Sequence, residues 1–287
     1  MSEAPAEPAR TPRAPGRPAH GPEDDPRAAP TAPREPTVRL FALAPGVHAA
    51  FTRRRGGVSR PPYDSLNMST GSGDSEQAVA RNRQLVAAAC GLAPDRMTWM
   101  RQVHGADVGR VPDPGRPRPG PWSGAGPSPP RDACFTSVPG LALGVLSADC
   151  PAVLLADPEA GIIGAAHSGR PGTALGVVPA LMRAMTGAGA DPARTRAVMG
   201  PAICGGCYEV PEQMRDDVAA AVPGSGCLTR AGAPGLDLRA GIAGQLAAAG
   251  VCQVRIDDRC TAEDRDLYSY RRDGRTGRFA GLIWLAP

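Results

Sequence analysis

The chain has 287 residues and a formal net charge of +4, so it is long enough for one large domain or two small ones with a sizeable core. All 32 of its Lys and Arg residues are arginine, which excludes Schiff-base chemistry on a lysine and a P-loop lysine. The charge is spread along the chain, and no apolar run is long enough to span a membrane or to form a standard leader. We therefore expect a cytoplasmic protein with neither a nucleic-acid nor a membrane partner.

Two proline-rich segments are predicted to lie outside the packed core. Residues 1–37 hold ten of the 33 prolines and few large apolar side chains, so we expect a disordered tail. Residues 112–131 hold eight prolines and four glycines, which predicts an irregular insertion. Residues 38–287, which include this insertion, are expected to form a single catalytic domain, and we expect a monomer.

In chain order, the apolar patterns predict short strands mixed irregularly with helices. Strands are expected as a pair within 38–52, and then at 97–103, 141–150, 152–157, 161–167, 195–200 and 251–256. Helices are expected at 75–90, capped by Asp74, at 173–186, where Pro179 must start or kink the helix, at 211–221, with Pro211 as first residue, and at 237–249, capped by Asp237. Because there is no regular βαβ order, we predict an α+β fold, a single layered α/β/β/α domain with mixed sheets.

Three side chains that favour soft metal ions lie at the ends of predicted apolar strands. They are His104 in RQVHG, Cys150 in SADC and His167 in AAHSG. Two imidazoles and one thiolate suit Zn²⁺, and three protein ligands leave a fourth position open, as in catalytic sites. The spacings match no short metal motif, so two buried core histidines and a buried thiol remain the alternative.

Several longer motifs then identify a family resemblance. The segments FTRRRGGVSRPPYDSLN, GDSEQAVARNR, WMRQVHG, LSADCPAVLLAD, AAHSGRPG, MGPAICGGCYEV and DLYSYRRDGRTGRFA occur in this order. Over about residues 40–285 the chain resembles the YfiH/YlmD family, also named the multicopper polyphenol oxidoreductase laccase-domain or peptidoglycan editing factor family. The resemblance implies that the family's metal ligands fall on His104, Cys150 and His167.

The resemblance also implies an activity. It is that of a zinc-dependent purine nucleoside phosphorylase, acting on adenosine, inosine, guanosine and methylthioadenosine with phosphate and showing adenosine deaminase activity. Cys150 and His104 are then the candidate catalytic residues. With metal bound, Cys150 is a deprotonated ligand, whereas without metal a thiol beside an imidazole is a candidate nucleophile.

Substrate contacts are predicted at four polar positions, which are Arg54, Asn67, Gln102 and Arg170. With no lysine available, Arg54 in the Arg-x-Gly-Gly loop is the leading phosphate ligand, although a solvated loop arginine is the alternative. Asn67 is a candidate for a ribose hydroxyl or simply closes a turn, and Gln102 orients His104 or packs beside it. Asp149 is a candidate acceptor for a ligand imidazole.

The fourth position, Arg170, departs from the family pattern. The common form is His-Ala-Gly-Trp-Arg-Gly, whereas residues 167–172 here read HSGRPG. An aromatic face for stacking a base is thus lost, and the cation moves by one residue. We expect either that Arg170 reaches the same anion from a shifted backbone or that the substrate preference has changed.

Other interpretations compete with this one. Cys204 and Cys207 form a CxxC, and a second metal site would need Cys252 and Cys260 as its other two ligands. In the alternative interpretation, Cys204 and Cys207 are simply two thiols that flank a turn. The basic stretch 268–278 is predicted to be a hairpin turn rather than an RNA contact. A copper-dependent phenol oxidoreductase is disfavoured, because a multicopper cluster needs many histidines. Besides His104 and His167, only His48 remains in the predicted domain. A binding or editing factor for cell-wall precursors, without turnover, remains open.

Overall fold

The computed structural model describes residues 38–113 and 129–287, so the predicted tail and most of the predicted insertion lie outside the described residues. The strands of the described part are β1 (Val38–Ala44), β2 (Val47–Thr52), β3 (Met97–Trp99), β4 (Val108–Arg110), β5 (Ala133–Thr136), β6 (Ala142–Ser147), β7 (Ala152–Asp157), β8 (Ile162–His167), β9 (Arg196–Met199), β10 (Gly226–Leu228), β11 (Pro234–Leu236), β12 (Gln253–Ile256) and β13 (Phe279–Leu285). The α-helices are α1 (Glu76–Ala89), α2 (Arg170–Ala174), α3 (Val177–Gly187), α4 (Glu212–Ala221), α5 (Leu238–Ala248) and α6 (Tyr270–Asp273). None of the helices among these residues is long and apolar enough to cross a membrane.

The strands form two large mixed sheets and a short hairpin. One sheet has the order β1-β2-β13-β6-β3, the other has the order β12-β9-β7-β8-β5-β4, and β10 pairs with β11. Both large sheets contain parallel and antiparallel pairs. The predicted α+β class with mixed sheets is therefore confirmed.

Three apolar clusters fill the spaces between the layers. Leu143, Leu154 and Ile283 belong to the cluster between the two sheets. The second cluster packs β7 and β8 against α3 and α5, and the third packs β2, β6 and β13 against α1. Successive residues of β7 point to opposite faces, and both faces are covered, which explains why AVLLAD is an uninterrupted apolar run.

Several predicted boundaries need correction. The 173–186 helix is two helices, because Gly176 has a φ of 76° between α2 and α3, and Pro179 lies in the first turn of α3. Ser75 rather than Asp74 caps α1, since its side chain accepts the amide of Ala78. Pro211 is the N-cap of α4 rather than its first residue, whereas Asp237 caps α5 as predicted.

The prediction of a hairpin at 268–278 is wrong. Residues 270–273 form the short helix α6, and β13 pairs with β2 and β6 rather than with a strand that precedes it directly in the chain. Ser269 stabilises this helix because its hydroxyl accepts the amide of Arg272 at 3.2 Å. The first residue of α6, Tyr270, and the following Arg271 thereby reach the surface of a cavity described below.

Candidate metal and active site

The connection between β6 and β7 brings Cys150 to the edge of both sheets. Ser147 ends β6 in one sheet and Ala152 begins β7 in the other, so residues 148–151 cross between them. Asp149 has a φ of 102°, a strained value for a residue with a side chain. Its carboxylate accepts the Thr261 hydroxyl at 2.6 Å and the Arg271 amide at 2.7 Å, which holds the crossing in place.

Strand register then places His167 beside Cys150. Ala152 pairs with His167 across β7 and β8, and the Ser168 amide donates to the Pro151 carbonyl at 2.9 Å. Gly169 follows, and a Cβ built at this glycine would lie 2.6 Å from Cδ2 of His104 and 2.9 Å from Sγ of Cys150. Glycine is therefore required here so that the side chains of His104 and Cys150 can approach each other.

Asp132, which the sequence analysis missed, positions both imidazoles. Its Oδ1 lies 2.8 Å from Nδ1 of His167, and its two carboxylate oxygens accept the amides of Val103, His104 and Gly105 at 2.7–3.0 Å. These bonds hold the loop that carries His104, whose φ of 61° is also left-handed. The prediction that Asp149 accepts from a ligand imidazole is therefore wrong, because Asp132 occupies that position and Asp149 holds the crossing loop.

The three predicted ligands converge. One nitrogen each from His104 and His167 and the sulfur of Cys150 all lie within 4.8 Å of one another, and Sγ of Cys150 is 3.9 Å from Nε2 of His104. Zn–N and Zn–S bonds of about 2.1 and 2.3 Å require separations of about 3.5 Å in a tetrahedral site. The residues therefore fit a zinc ion after side-chain shifts of about an ångström or less, and the Asp132–His167 contact matches the carboxylate–histidine pairing of metal sites.

Electrostatics favour the ionised forms of this cluster. Burial raises the pKa of the Cys150 thiol, but the imidazoles of His104 and His167 outweigh it and bring the pKa to about 6. Burial lowers the pKa of His167, but Asp132 and Cys150 outweigh it and raise the pKa to about 9. A thiolate is both the form that binds zinc and the nucleophilic form. The arrangement thus suits a metal ion or a Cys150–His167–Asp132 nucleophile triad.

A cavity of about 820 Å³ opens in front of the cluster. Five arginines line it, whereas Asp149 is the one acidic residue among its described lining residues. These arginines are Arg83, Arg101, Arg170, Arg271 and Arg278. Nine other arginines of the described residues form ion pairs with carboxylates, but none of these five does. The cavity therefore presents cationic groups suited to an anionic ligand.

Aromatic rings also line this cavity. They belong to Trp99, Tyr208 and Tyr270, and each ring carries an arginine over one face at 4.4–5.9 Å from the ring centroid. Burial raises the pKa of Tyr208, against the effect of the neighbouring Arg170 and Arg271 charges. Tyr270 is 61% exposed, so it offers the most accessible ring.

Two of the four predicted substrate residues lie at the cavity and two do not. Arg170 lines it, and so does Gln102, whose amide exchanges two 2.8 Å hydrogen bonds with the backbone of Leu146 instead of orienting His104. Arg54 is absent from the described lining because its guanidinium binds Asp64 and Asp273. Asn67 is fully buried, and its side chain closes the 67–74 turn through Ser69, Ser72 and Asp74.

The remaining histidine of the described residues does not join the cluster. His48 lies in β2 and stacks on Trp284 with ring centroids 5.6 Å apart. The described residues therefore bring two histidines to this site, fewer than a multicopper cluster requires.

Comparisons with known proteins identify the family of the chain. The sequence model of a family described as multi-copper polyphenol oxidoreductase laccase matches residues 48–286. A Streptomyces griseus protein named purine nucleoside phosphorylase ORF3 is 51% identical over 247 residues, which cover 86% of this chain and 98% of that protein. Purine nucleoside phosphorylase YfiH of Shigella flexneri is 35% identical over 251 residues, with coverage of 86% and 98%.

A solved structure is similar to this chain as well. The crystal structure of YlmD from Geobacillus stearothermophilus superposes with a TM-score of 0.78 at 31% identity and covers 86% of this chain and 94% of that one. The resemblance seen in the sequence motifs is thereby confirmed, and the chain belongs to the YfiH/YlmD family of laccase-domain proteins.

Proposed function

We propose that this chain is a zinc-dependent purine nucleoside phosphorylase that cleaves adenosine, inosine, guanosine and methylthioadenosine with phosphate. One observation carries the proposal: the His104, Cys150 and His167 cluster faces a cavity whose five arginines lack carboxylate partners among the described residues. Two related proteins bear the name purine nucleoside phosphorylase, and they match nearly their whole length to this chain.

Phosphate is proposed to bind between Arg278 and Arg170. Arg278 is close enough to Cys150 and Asp149 that their charges act on its pKa, which burial lowers. Arg170 begins α2 directly after Gly169, where an added Cβ would clash with the His104 and Cys150 side chains. Two guanidinium groups next to the cluster would hold the anion by charge-assisted hydrogen bonds. They replace Arg54 as the leading candidates, since Arg54 is occupied by two aspartates.

The purine is proposed to lie against Tyr208 or Tyr270. Both rings line the same cavity as the arginines, so a base stacked there would be near a phosphate held by Arg278. In phosphorolysis a phosphate oxygen forms a bond to C1′ of the ribose while the bond from C1′ to the base nitrogen breaks and its electron pair leaves with the base. The arginines would neutralise and orient the attacking phosphate.

Zinc is proposed to be held by His104, Cys150 and His167. When bound with a position open, it would polarise a substrate oxygen or lower the pKa of water, the chemistry that adenosine deamination also needs. Asp132 would keep the Nδ1 side of His167 occupied, so that Nε2 is the nitrogen directed at the ion. Deaminase side activity is therefore part of the proposal, as are His104 and Cys150 as catalytic residues.

The test is phosphate-dependent release of base from inosine and adenosine by the zinc-replete protein. We expect ribose 1-phosphate as the second product, loss of release in Cys150→Ser, and normal release in Cys252→Ser, whose thiol is exposed and outside the cavity lining. Formation of free ribose would instead indicate hydrolysis. Absence of any release would overturn the phosphorylase proposal and favour a binding protein for cell-wall precursors.

A further inference from the structure

A second cluster of metal-type ligands lies outside the candidate active site. The Sγ atoms of Cys204, Cys207 and Cys260 and a carboxylate oxygen of Glu263 all lie within 4.8 Å of one another. None of these four residues is among the described residues that line the 820 Å³ cavity. The structure thus completes the CxxC pair with Cys260, whereas Cys252 is exposed and is not part of this cluster.

The local backbone directs the three sulfurs toward one point. The Cys207 amide donates to the Cys204 carbonyl at 2.9 Å, which closes the tight turn of the CxxC. A Cβ at Gly205 would lie 2.9 Å from Cβ of Asp237 and from Sγ of Cys227, so only glycine fits there without movement. Two thiols three residues apart on such a turn have the spacing found in structural zinc sites.

Cys260 reaches this turn from a remote part of the chain. A bridge between Ala202 and Cys260 joins the two segments, and the Cys204 amide donates to Sγ of Cys260 at 3.4 Å. Cys260 is buried and the CxxC thiols are half-buried, so the proposed ligand sulfurs are partly shielded from solvent.

We propose that Cys204, Cys207, Cys260 and Glu263 bind a structural Zn²⁺ ion, separate from the candidate active site. Thiolate ligands select zinc over magnesium or calcium, and a tetrahedral ion with Zn–S bonds of about 2.3 Å needs sulfurs about 3.8 Å apart. The clustered ligand atoms are within reach of that geometry through small side-chain movements.

Arg230 supplies the charge that such a site needs. Three thiolates and one carboxylate around a divalent ion leave a net charge of about −2, which a nearby cation would reduce. Nη1 of Arg230 lies 3.1 Å from Sγ of Cys207, Nη2 lies 3.9 Å from Sγ of Cys204, and the same guanidinium forms an ion pair with Glu263. The cation therefore already contacts three of the four proposed ligands.

The proposed ion would tie together two segments that form the cavity wall. Ile203 and Tyr208 flank the CxxC turn and line the cavity. Thr261, next to Cys260, donates its hydroxyl to Asp149, the residue before Cys150. Zinc at Cys204, Cys207 and Cys260 would thus fix Tyr208 and Asp149 relative to each other. In this way a structural site would support the neighbouring active site.

The test measures zinc per chain in a background that lacks the first site. In Cys150→Ser protein produced with added zinc, we expect one tightly bound zinc, with an X-ray absorption spectrum dominated by sulfur ligands. Adding Cys207→Ser or Cys260→Ser should remove that zinc and lower the melting temperature, whereas the matched control Cys252→Ser should change neither.

Three results would overturn the proposal. They are a Cys150→Ser protein without zinc, a zinc content unaffected by Cys207→Ser and Cys260→Ser, and a Cys204–Cys207 disulfide found by mass spectrometry in the zinc-supplemented protein. Cys260 is buried, so Cys204→Ser takes the place of Cys260→Ser if the latter fails to fold. The zinc content of the Cys204→Ser and Cys207→Ser variants, both at half-buried positions, then decides the test. None of these readouts depends on phosphorolysis.

Discussion

Nδ1 of His167 lies 2.8 Å from Oδ1 of Asp132, and both side chains are almost completely buried. Burial alone would raise the pKa of Asp132, but the hydrogen bonds from His167 and from the amides of Gly105 and Val103 hold it below its usual range. A single carboxylate thus fixes the ring of His167 and the loop of His104. The geometry of the cluster therefore depends on a residue that would not itself touch the ion.

Asp132→Asn tests this dependence. We expect zinc affinity to fall by about 10- to 100-fold, because the His167 ring loses its charged partner and the His104 loop loses an anionic acceptor. Competition with a chromogenic chelator would measure the change, and the exposed Asp258→Asn serves as control. Unchanged zinc affinity in Asp132→Asn would show that Asp132 does not position the ligands.

The sequence was sufficient to single out the three side chains of the cluster but not the residue that supports them. His167 ends β8, whereas Cys150 and His104 lie three and five residues after the ends of β6 and β3. Strand ends commonly direct side chains into a site. Asp132 follows the proline-rich stretch and belongs to no motif. The one sequence signal for it is its position as an acidic residue directly before the buried strand β5. Its function arises from the pairing of Ala133 with Ala166, which places it next to His167.

The same limit explains the substrate residues. Arg54 has a favourable sequence context, but the aspartates that pair with it are Asp64 and Asp273, and the second is 219 residues away in the chain. Asn67 receives the Arg278 amide, a contact across 211 residues. Long-range partners decide whether a polar side chain faces substrate or supports a loop, and no local pattern contains that information. The proximity of Cys260 to Cys204 and Cys207 also arises from a long-range contact, the bridge between Ala202 and Cys260.

Gly169→Ala is expected to disrupt the metal cluster without straining the backbone. Gly169 has φ and ψ of −67° and 170°, which alanine adopts readily, so the effect comes from the Cβ that would press on His104 and Cys150. Overpacking of this kind costs about 1–3 kcal/mol, and we expect zinc affinity to fall about tenfold or more. Isothermal titration with zinc would measure it.

Gly187→Ala is the matched control for this steric effect. Gly187 ends α3, and a Cβ there would meet no atom within 4 Å. We expect normal zinc binding and unchanged or slightly higher stability, since alanine favours the helix. Equal zinc affinity in the two alanine variants would contradict the packing argument.

Arg278→Ala and Arg54→Ala should separate a phosphate ligand from a structural arginine. If phosphate binds at the cavity, loss of a charge-assisted hydrogen bond of about 1.5–3 kcal/mol raises the phosphate KM about 10- to 100-fold in Arg278→Ala. Arg278→Lys should recover part of this loss because it keeps the charge. Steady-state kinetics at varied phosphate would give these values.

Arg54→Ala should act mainly on stability. Its guanidinium contacts the Asp64 carbonyl, both aspartate side chains and the ring of Tyr268, so we expect a lower melting temperature with a near-normal phosphate KM. A large rise in phosphate KM for Arg54→Ala, with none for Arg278→Ala, would restore Arg54 as the phosphate ligand.

Asp157 is expected to make stability depend on acid pH. Burial raises the pKa of this fully buried carboxyl, but the Asp191 amide at 2.8 Å, the Arg194 guanidinium at 3.0 Å and the Ala160 amide at 3.2 Å outweigh it and hold the pKa below its usual range. A depressed native pKa stabilises the fold above the pKa of the unfolded chain, near 4, and this contribution is lost as the pH falls toward the native pKa.

Asp157→Asn removes this titration. We expect it to lower the free energy of unfolding by about 1–3 kcal/mol at pH 7, and we expect the difference from the unmodified protein to shrink below about pH 4. Urea unfolding at pH 7 and at a series of lower values would measure both effects, with the exposed Asp95→Asn as control. A difference that stayed constant with pH would mean that the Asp157 carboxyl has the same pKa in the folded and unfolded chains, and its hydrogen bonds would then contribute nothing to acid sensitivity.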